Sequence, residues 1–445
     1  MTITTAAVAA RSRAGALAGT AAVVAPDDSA CAYLEAFARH GWRTLAVTSE
    51  AGQRPLAYRS EPLPACYGTT VVHRGLRQTV KTLRAMGVTA VLPGSAEGIE
   101  LAERISWHLH LPGGDPASSP LRRDRGMQAS ALVRHGLSAP RSVRTASLSD
   151  ALDWAAANPL PGYLLAPAAT GVPVDAVACA TGQHISLAWP AMRRLAAIYS
   201  GDQSLCLTES LPARQYLVTS TSRPGPDQRP EHSVYDVWAE VRSADGQMDR
   251  ADLLDAGTLL TRALSLATVR ALDVLGVVHG PVTTRLAYRA GEDEDTNSGP
   301  MVIAALAAPA ATPADTVLRT STGRDRTADV LDAWIPPAAG QLVPAASRPR
   351  THVTRVHLSL PDTGLPGWLE EVLHRLPTAA AVHEYAPPSP SAAAPLSAEV
   401  VLASTDPTAI EDDYQVIRAL ESSGPALRLR PNRTPPTSAA REGRS

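Results

Sequence analysis

A repeated junction, in which a helix ends at a glycine and an apolar strand follows, constrains the fold of this chain more than any other feature. The junctions lie at Gly41, Gly87, Gly136 and Gly276. Glycine adopts without strain the left-handed backbone conformation that ends a helix and redirects the chain. Helices that alternate with apolar strands pack on the faces of a sheet. The sequence therefore predicts an α/β protein.

Residues 20–115 predict a doubly wound, Rossmann-like domain. Two rounds of strand, turn and helix span Ala21–Val24, 26–29, Ala30–His40 and Arg43–Thr48, then Leu76–Met86, Val88–Leu92, 93–95 and Glu97–Trp107. Ligands of such domains bind at the carboxyl ends of the strands, here near 26–28 and 94–98. Residues 1–19 are interpreted as a disordered leader. The alternative is a signal peptide, because Arg11 and Arg13 precede an apolar run.

The remaining chain divides into a central region, 116–312, a small α/β unit, 313–424, and a polar tail, 425–445, predicted to be disordered. The central region has a succession of strands that is typical of an antiparallel sheet. It also has four predicted helices, at Asp124–His135, Asp150–Ala157, Pro190–Ile198 and Leu253–Leu275. Within it, the acidic insert GEDEDTNSGP (291–300) predicts a solvated turn. The last unit contains strands Thr354–Leu360 and Glu399–Ala403, with a low-complexity stretch between them.

The composition excludes several classes of partner. A net charge of −2 provides no field for a polyanion, so we expect no nucleic-acid partner. No apolar run is long enough to cross a bilayer, and the four cysteines show no metal or disulfide spacing. We therefore expect a cytoplasmic protein without membrane contact. Lys81 is the only lysine, which excludes any mechanism that needs two.

Six stretches, in this order, carry a resemblance to a known family: VLPGSAEGIELAERISWHLHLPGGDP, RRDRGMQASALVRHGLSAPRS, LTESLPARQYLVTS, VYDVW, ALDVLGVVHGPVTT and LASTDPTAIEDDYQVIRALES. They resemble the ATP-grasp superfamily, and within it the bacterial carboxylate–amine and dipeptide (L-amino acid) ligases. The resemblance implies an ATP-grasp fold with an N-terminal doubly wound pre-ATP-grasp domain, a central ATP-grasp domain and a small C-terminal α/β domain. It also implies that ATP phosphorylates a carboxylate, which an amine then attacks.

The nucleotide positions of the family are only partly retained. The Asp-Lys pair at a helix start matches Asp124-Arg125, the strand lysine matches Ala166, and the small-residue loop keeps one glycine, Gly171. The hinge and ribose-side positions match Glu209 and Gln215, for which plain strand-edge polarity is the alternative interpretation. The resemblance thus implies that these residues would contact ATP, with arginine as the phosphate-binding cation.

The metal positions of the family are lost. The first acidic ligand matches Arg285 and the second matches Ala304. No Asp, Glu or Asn occurs between Pro300 and Pro313, so a shift of the match by a few residues supplies no ligand. Mg²⁺ is therefore not expected, and Arg285 is the sole catalytic candidate.

Four further residues are candidates for substrate contact: Ser95, Glu97, Asp236 and His279. Three of them have a structural alternative. For Ser95 the helix N-cap is the favoured interpretation. Asp236 is alternatively the partner of an arginine, His279 a satisfied turn histidine, and Glu97 stays a candidate for substrate contact. A run of three arginines, Arg122, Arg123 and Arg125, is either an anion clamp or a solvated loop.

Three functions fit these observations. The first is a non-catalytic homologue that acts as partner or scaffold for an active ligase or pathway enzyme in bacterial specialised metabolism. The second is an active ATP-dependent carboxylate–amine ligase of altered design. The third is a sensor that binds a nucleotide or amino acid without chemistry. The superfamily also makes a homodimer an expected assembly, although no dimer face can be named from the sequence.

Overall fold

The computed structural model describes residues 18–26, 30–49, 67–169, 176–225, 227, 229–242, 248–289, 299–308, 315–324, 331, 333–335, 349–360, 364–385 and 397–423. The predicted tail, Gly171 and most of the predicted leader, acidic insert and low-complexity stretch lie outside these ranges. Within them, no helix is long and apolar enough to cross a membrane.

The N-terminal sheet has four parallel strands; one helix connects the first strand to the second, and another connects the third to the fourth. The elements are β1 Gly19–Val24, α1 Cys31–Arg39, β2 Trp42–Ser49, β3 Thr70–His73, α2 Leu76–Ala85, β4 Ala90–Pro93 and α3 Ile99–Leu109. The strand order is β3-β2-β1-β4, which confirms the predicted doubly wound domain. At the carboxyl end of β1, a Cβ on Gly98 would lie 2.2 Å from the carbonyl oxygen of Val24. Only glycine permits that approach of α3 to the sheet.

A small antiparallel sheet follows. Its elements are α4 Arg125–Arg134, β5 Ser142–Thr145, α5 Leu148–Ala157, β6 Tyr163–Pro167, β7 Val177–Cys179, α6 Gly182–Ser200 and β8 Leu205–Glu209. The strand order is β5-β8-β6-β7. The prediction of a short helix Pro190–Ile198 is wrong, because α6 spans 19 residues and Pro190 lies inside it. Burial of Ile185, Trp189 and Met192 against the sheet holds the helix together across the proline.

The large sheet has eight strands in the order β13-β12-β9-β10-β11-β14-β16-β15. The elements are β9 Arg214–Pro224, β10 Pro230–Arg242, β11 Met248–Leu253, α7 Leu259–Val274, β12 Gly280–Ala287, β13 Met301–Leu306, α8 Asp315–Thr322, β14 His352–Ser359, α9 Gly367–His374, β15 Ala379–Tyr385, β16 Ser397–Ser404 and α10 Pro407–Ser423. The prediction of one helix over Leu253–Leu275 is wrong. Residues up to Leu253 form β11, and α7 begins only after Thr258, whose hydroxyl caps it by accepting from Thr261 N at 3.1 Å.

The C-terminal strands do not form a sheet of their own. β14 pairs with β11, so 248–253 and 352–404 belong to one continuous sheet. Leu331 and Trp334 pack instead in the core of the N-terminal sheet, and the Trp334 indole donates to the carbonyl of Val91 at 3.2 Å. The chain after residue 312 therefore contributes to two cores, and the predicted boundary at 312 is not visible as a break in the sheet.

The two faces of the large sheet differ in character. One face buries Tyr216, Val218 and their neighbours against α4 and α7. The residues that alternate with these point to the other side. They include Gln215 on β9, Glu240 on β10 and Arg285 on β12, and we call this side the cleft face.

Candidate functional site

Arg125 lies where the start of α4 meets the small sheet. The carboxylate of Asp124 caps α4 by accepting from Met127 N at 2.9 Å. The backbone N–H of Arg125 donates to the carbonyl of Ala168 at 2.9 Å, and Asp124 forms a bridge with Ala169. These contacts fix Arg125 beside the end of β6.

Ala166 offers no charge to a ligand, but Arg125 lies nearby. Ala166 is buried on β6 and pairs in register with Cys206 on β8. Burial raises the pKa of the Cys206 thiol, and the charge of Arg125 acts on the same thiol in the opposite direction. The positive charge beside Ala166 therefore comes from Arg125 at the start of α4 and not from a residue of β6.

The guanidinium of Arg125 makes no hydrogen bond or ion pair with any residue that the structure describes. Burial lowers its pKa from the usual value, which shows that the charge has lost part of its hydration. Asp124 is the carboxylate whose charge opposes this effect, and it is itself paired with Arg144. A partly desolvated cation without a hydrogen-bonded counter-ion is costly for the fold. The arrangement is suited to an anion that arrives as a ligand.

Arg285 lies on the cleft face and shares one carboxylate with Arg242. Glu240 is 2% exposed and accepts from Arg242 Nη2 at 2.9 Å, while Arg285 Nη1 lies 3.3 Å from the same oxygen. Gln215 accepts from Arg285 Nη1 at 3.3 Å. Burial lowers the pKa of Arg285 to about 10; Glu240 opposes this effect, and the charges of Arg242 and Arg125 add to it. We call Arg125, Arg242, Arg285 and Glu240 the arginine cluster.

The donor set of the cleft does not fit Mg²⁺. This hard cation requires oxygen ligands in octahedral geometry. In the described ranges, no group of three His, Cys, Asp or Glu residues could hold a metal ion. Glu240 is engaged by two arginines, and the residue opposite Arg285 on β13 is Ala304, which has no ligand atom in its side chain.

Glu209 joins the small sheet to the large one. It accepts from the backbone N–H of Arg141 at 3.0 Å and from its Nε at 2.9 Å, and Arg289 Nη2 donates to it at 3.2 Å. Burial pushes the pKa of Glu209 up, but the bonds from Arg141 and the charge of Arg289 leave it below the usual value. Both oxygens are thus occupied by protein donors, and contact with a ribose stays a prediction for this residue.

The four candidate substrate residues lie in three different places. Ser95 and Glu97 flank the tight turn at the carboxyl end of β4, and the Ser95 side chain makes no capping bond. Asp236 is buried and accepts from the Trp238 indole at 2.8 Å. His279 lies between the N-terminal and large sheets, where its Nε2 donates to the carbonyl of Ala333 at 2.7 Å.

The arginine run divides into three separate roles. Arg122 is 2% exposed and bonds to Glu103, Ser118 and the carbonyls of Asp115, Leu275 and Gly276. Arg123 pairs with Glu100. Arg122 is therefore a structural link between α3 and the end of α7, and of the three only Arg125 is left for a ligand.

A small cavity lies beside Arg122, away from the arginine cluster. Its volume is about 30 Å³, and Glu103, His279 and Trp334 are among the residues that line it. One carboxylate oxygen of Glu103 has no protein partner there. A cavity of this size holds a water molecule, which would satisfy that oxygen, but it holds no substrate.

The sequence singles out Arg125 and Arg285 as candidates but not Glu240 and Arg242, which the structure places in contact with each other beside Arg285. The available signal was a carboxylate inside an apolar strand, between Ala239 and Val241. Such a residue is almost never buried without a cationic partner. A carboxylate in this position predicts an arginine on a neighbouring strand but does not identify that arginine.

His279 gives the protein an acid-sensitive element. Burial lowers its pKa from 6.5 to about 4, so the folded state favours the neutral ring. The stability that this preference contributes is fully present above pH 6.5 and is lost as the pH falls toward 4. We expect His279→Gln to remove on the order of 3 kcal/mol of this pH dependence. Urea unfolding of both proteins across this pH range measures it, and parallel profiles would contradict the assignment.

No family model matches this sequence, and no curated protein matches it either. Solved structures do match its fold. An L-amino acid ligase from Bacillus licheniformis has 15% identity and a TM-score of 0.67, over 90% of this chain and 97% of that chain. An N5-carboxyaminoimidazole synthase from Aspergillus clavatus, in complex with ADP, has 11% identity and a TM-score of 0.65, over 91% and 99%.

A third similar structure is the biotin carboxylase domain dimer of 2-oxoglutarate carboxylase from Hydrogenobacter thermophilus, in complex with MgADP. It has 14% identity and a TM-score of 0.61, over 91% of this chain and 90% of that chain. All three are ligases of the ATP-grasp type. The chain therefore has the ATP-grasp fold, as the six stretches predicted.

Proposed function

We propose that this protein binds a nucleotide in the cleft between the small sheet and the cleft face, and that it does not ligate a substrate. One observation carries the proposal: the Arg125 guanidinium forms no hydrogen bond or ion pair with the described residues, and its charge and that of Arg285 act on each other. Two such guanidiniums match the charge and geometry of phosphate oxygens. The similar structures with bound ADP make a nucleotide the favoured source of that phosphate.

The roles of the residues follow from their positions. Arg125, at the start of α4 beside the small sheet, would bind a phosphate group from one side. Arg285 would bind the same ligand from the cleft face of the large sheet. Gln215 keeps Arg285 in place through its amide oxygen. Phosphoryl transfer depends on metal ions that neutralise the developing charge and orient the leaving group. Since the cleft offers no ligand set for Mg²⁺, binding without transfer is the expected result.

A protein of this kind would serve as a ligand-binding partner. We place it in the cytoplasm, together with an active ligase or another pathway enzyme of bacterial specialised metabolism. The nucleotide state of the cleft would then be read by that enzyme. An active carboxylate–amine ligase is the alternative, favoured by the match to almost the whole length of the L-amino acid ligase.

Two measurements separate these functions. A nucleotide at a hundredfold excess over its Kd should stabilise the fold by about 2.7 kcal/mol, which is visible as a shift in thermal unfolding. The second measurement is ADP release from ATP in the presence of each proteinogenic amino acid and of amino-acid pairs. Stabilisation without amino-acid-dependent ADP release is the expected result. Release would favour the ligase, and no stabilisation by any nucleotide would contradict nucleotide binding.

A further inference from the structure

We propose that the cleft takes a metal-free polyphosphate, and that magnesium weakens binding because it removes this form of the ligand from solution. The inference rests on the proposed function and deepens it. It concerns the ionic form of the ligand, which the fold alone does not determine.

The first argument is the charge balance of the arginine cluster. Two guanidiniums, those of Arg242 and Arg285, share one carboxylate, that of Glu240. Arg125 adds a further positive charge that acts on Arg285. The cluster thus carries excess positive charge in a partly buried place, where it interacts strongly with an approaching ion. A metal-free triphosphate supplies the balancing negative charge.

The second argument is that the neighbouring carboxylates are already engaged. Asp124 is paired with Arg144 Nε at 2.7 Å, and Glu399 is paired with Arg355 Nη2 at 2.7 Å. Asp236 accepts from the Trp238 indole. A magnesium ion that arrived with the nucleotide would find none of these carboxylates free of an existing bond. It would also lie near cations that repel it, and like charges brought together in this way cost several kcal/mol.

The third argument concerns the kind of anion. A guanidinium binds phosphate through two parallel hydrogen bonds, which engage oxygens of one phosphoryl group. Arg125 belongs to a helix beside the small sheet, whereas Arg285 belongs to the large sheet. Cations on two walls of a cleft favour a ligand with two or three phosphoryl groups over orthophosphate. In MgATP the metal covers the same oxygens that these arginines would use.

The test is calorimetric titration of the wild-type protein with ATP, ADP and inorganic tripolyphosphate, each in EDTA and again in excess magnesium. Ionic strength is held constant with potassium chloride, because salt alone screens the arginines. We expect the apparent Kd of ATP and tripolyphosphate to rise at least about tenfold with magnesium. AMP, which chelates magnesium weakly, serves as the control ligand, and any binding of it should not change.

The outcomes distinguish the two proposals. Binding that is as tight or tighter with magnesium overturns the inference but leaves nucleotide binding standing. Binding of tripolyphosphate but not of AMP supports recognition through the phosphates. If no ligand binds in either buffer, nucleotide binding fails together with the inference.

Discussion

Replacing Arg125 by methionine is expected to weaken nucleotide binding by about a hundredfold without destabilising the free protein. Hydrogen bonds to charged groups contribute about 1.5–3 kcal/mol each, and Arg125 would lose at least one bidentate pair. The same change removes a partly buried charge that has no counter-ion among the described residues. We expect the unfolding temperature of the free protein to stay the same or to rise, because methionine fills the space without a desolvation cost.

Arg134→Met is the matched control for this experiment. Arg134 lies at the other end of α4, is exposed and bonds only to the carbonyl of Ser130. Its replacement should leave both affinity and unfolding temperature nearly unchanged. Titration calorimetry measures the nucleotide affinity of the two variants, and thermal unfolding measures their stability. If Arg125→Met bound nucleotide as tightly as the parent, Arg125 would have no role in the site.

Replacing Glu240 by glutamine is expected to destabilise the fold by about 3–5 kcal/mol. The reason is that Arg242 and Arg285 would both lose their shared counter-ion in a buried place. Burial pushes the pKa of Glu240 up, but Arg285 and then Arg242 hold it below the usual value of 4.5. The stability contributed by this carboxylate is therefore present above pH 4.5 and is lost as the pH falls through the lower folded-state pKa.

Urea unfolding at neutral and acidic pH measures this effect. Glu231→Gln on the same strand is the control, because Glu231 forms an exposed pair with Arg223. Such surface pairs contribute about 0–1 kcal/mol. Equal losses in the two variants would mean that Glu240 is not the central counter-ion.

Part of the candidate site could be predicted from the sequence because it depends on residue type alone. The chain has no lysine beyond Lys81 and no acidic residue between Pro300 and Pro313, so these side chains are missing there whatever the details of the fold. The four glycines at which helices end could also be predicted from the sequence. All four have positive φ, between 64° and 75°. Glycine adopts this conformation without strain, so the feature depends on that residue alone and can be predicted locally.

Other features depend on pairs of residues that are far apart in the chain. Arg122, Arg123 and Arg125 look alike in the sequence, yet Arg122 is engaged by a carbonyl 153 positions away. The prediction for Ser95 shows the same limit, since it has the position of an N-cap without the bond. A local pattern cannot say which of several similar side chains finds a partner.

The sequence by itself determined the α/β class, the doubly wound N-terminal domain and the positions at which no lysine or carboxylate is available. These depend on local backbone preference and on which atoms a side chain possesses. Only the tertiary structure decided that β14, β15 and β16 extend the large sheet, that Glu209 is held by two arginines and that the Arg125 guanidinium forms no ion pair with a described residue. Those outcomes depend on sheet register and on the packing of distant segments, which decide which charges come together.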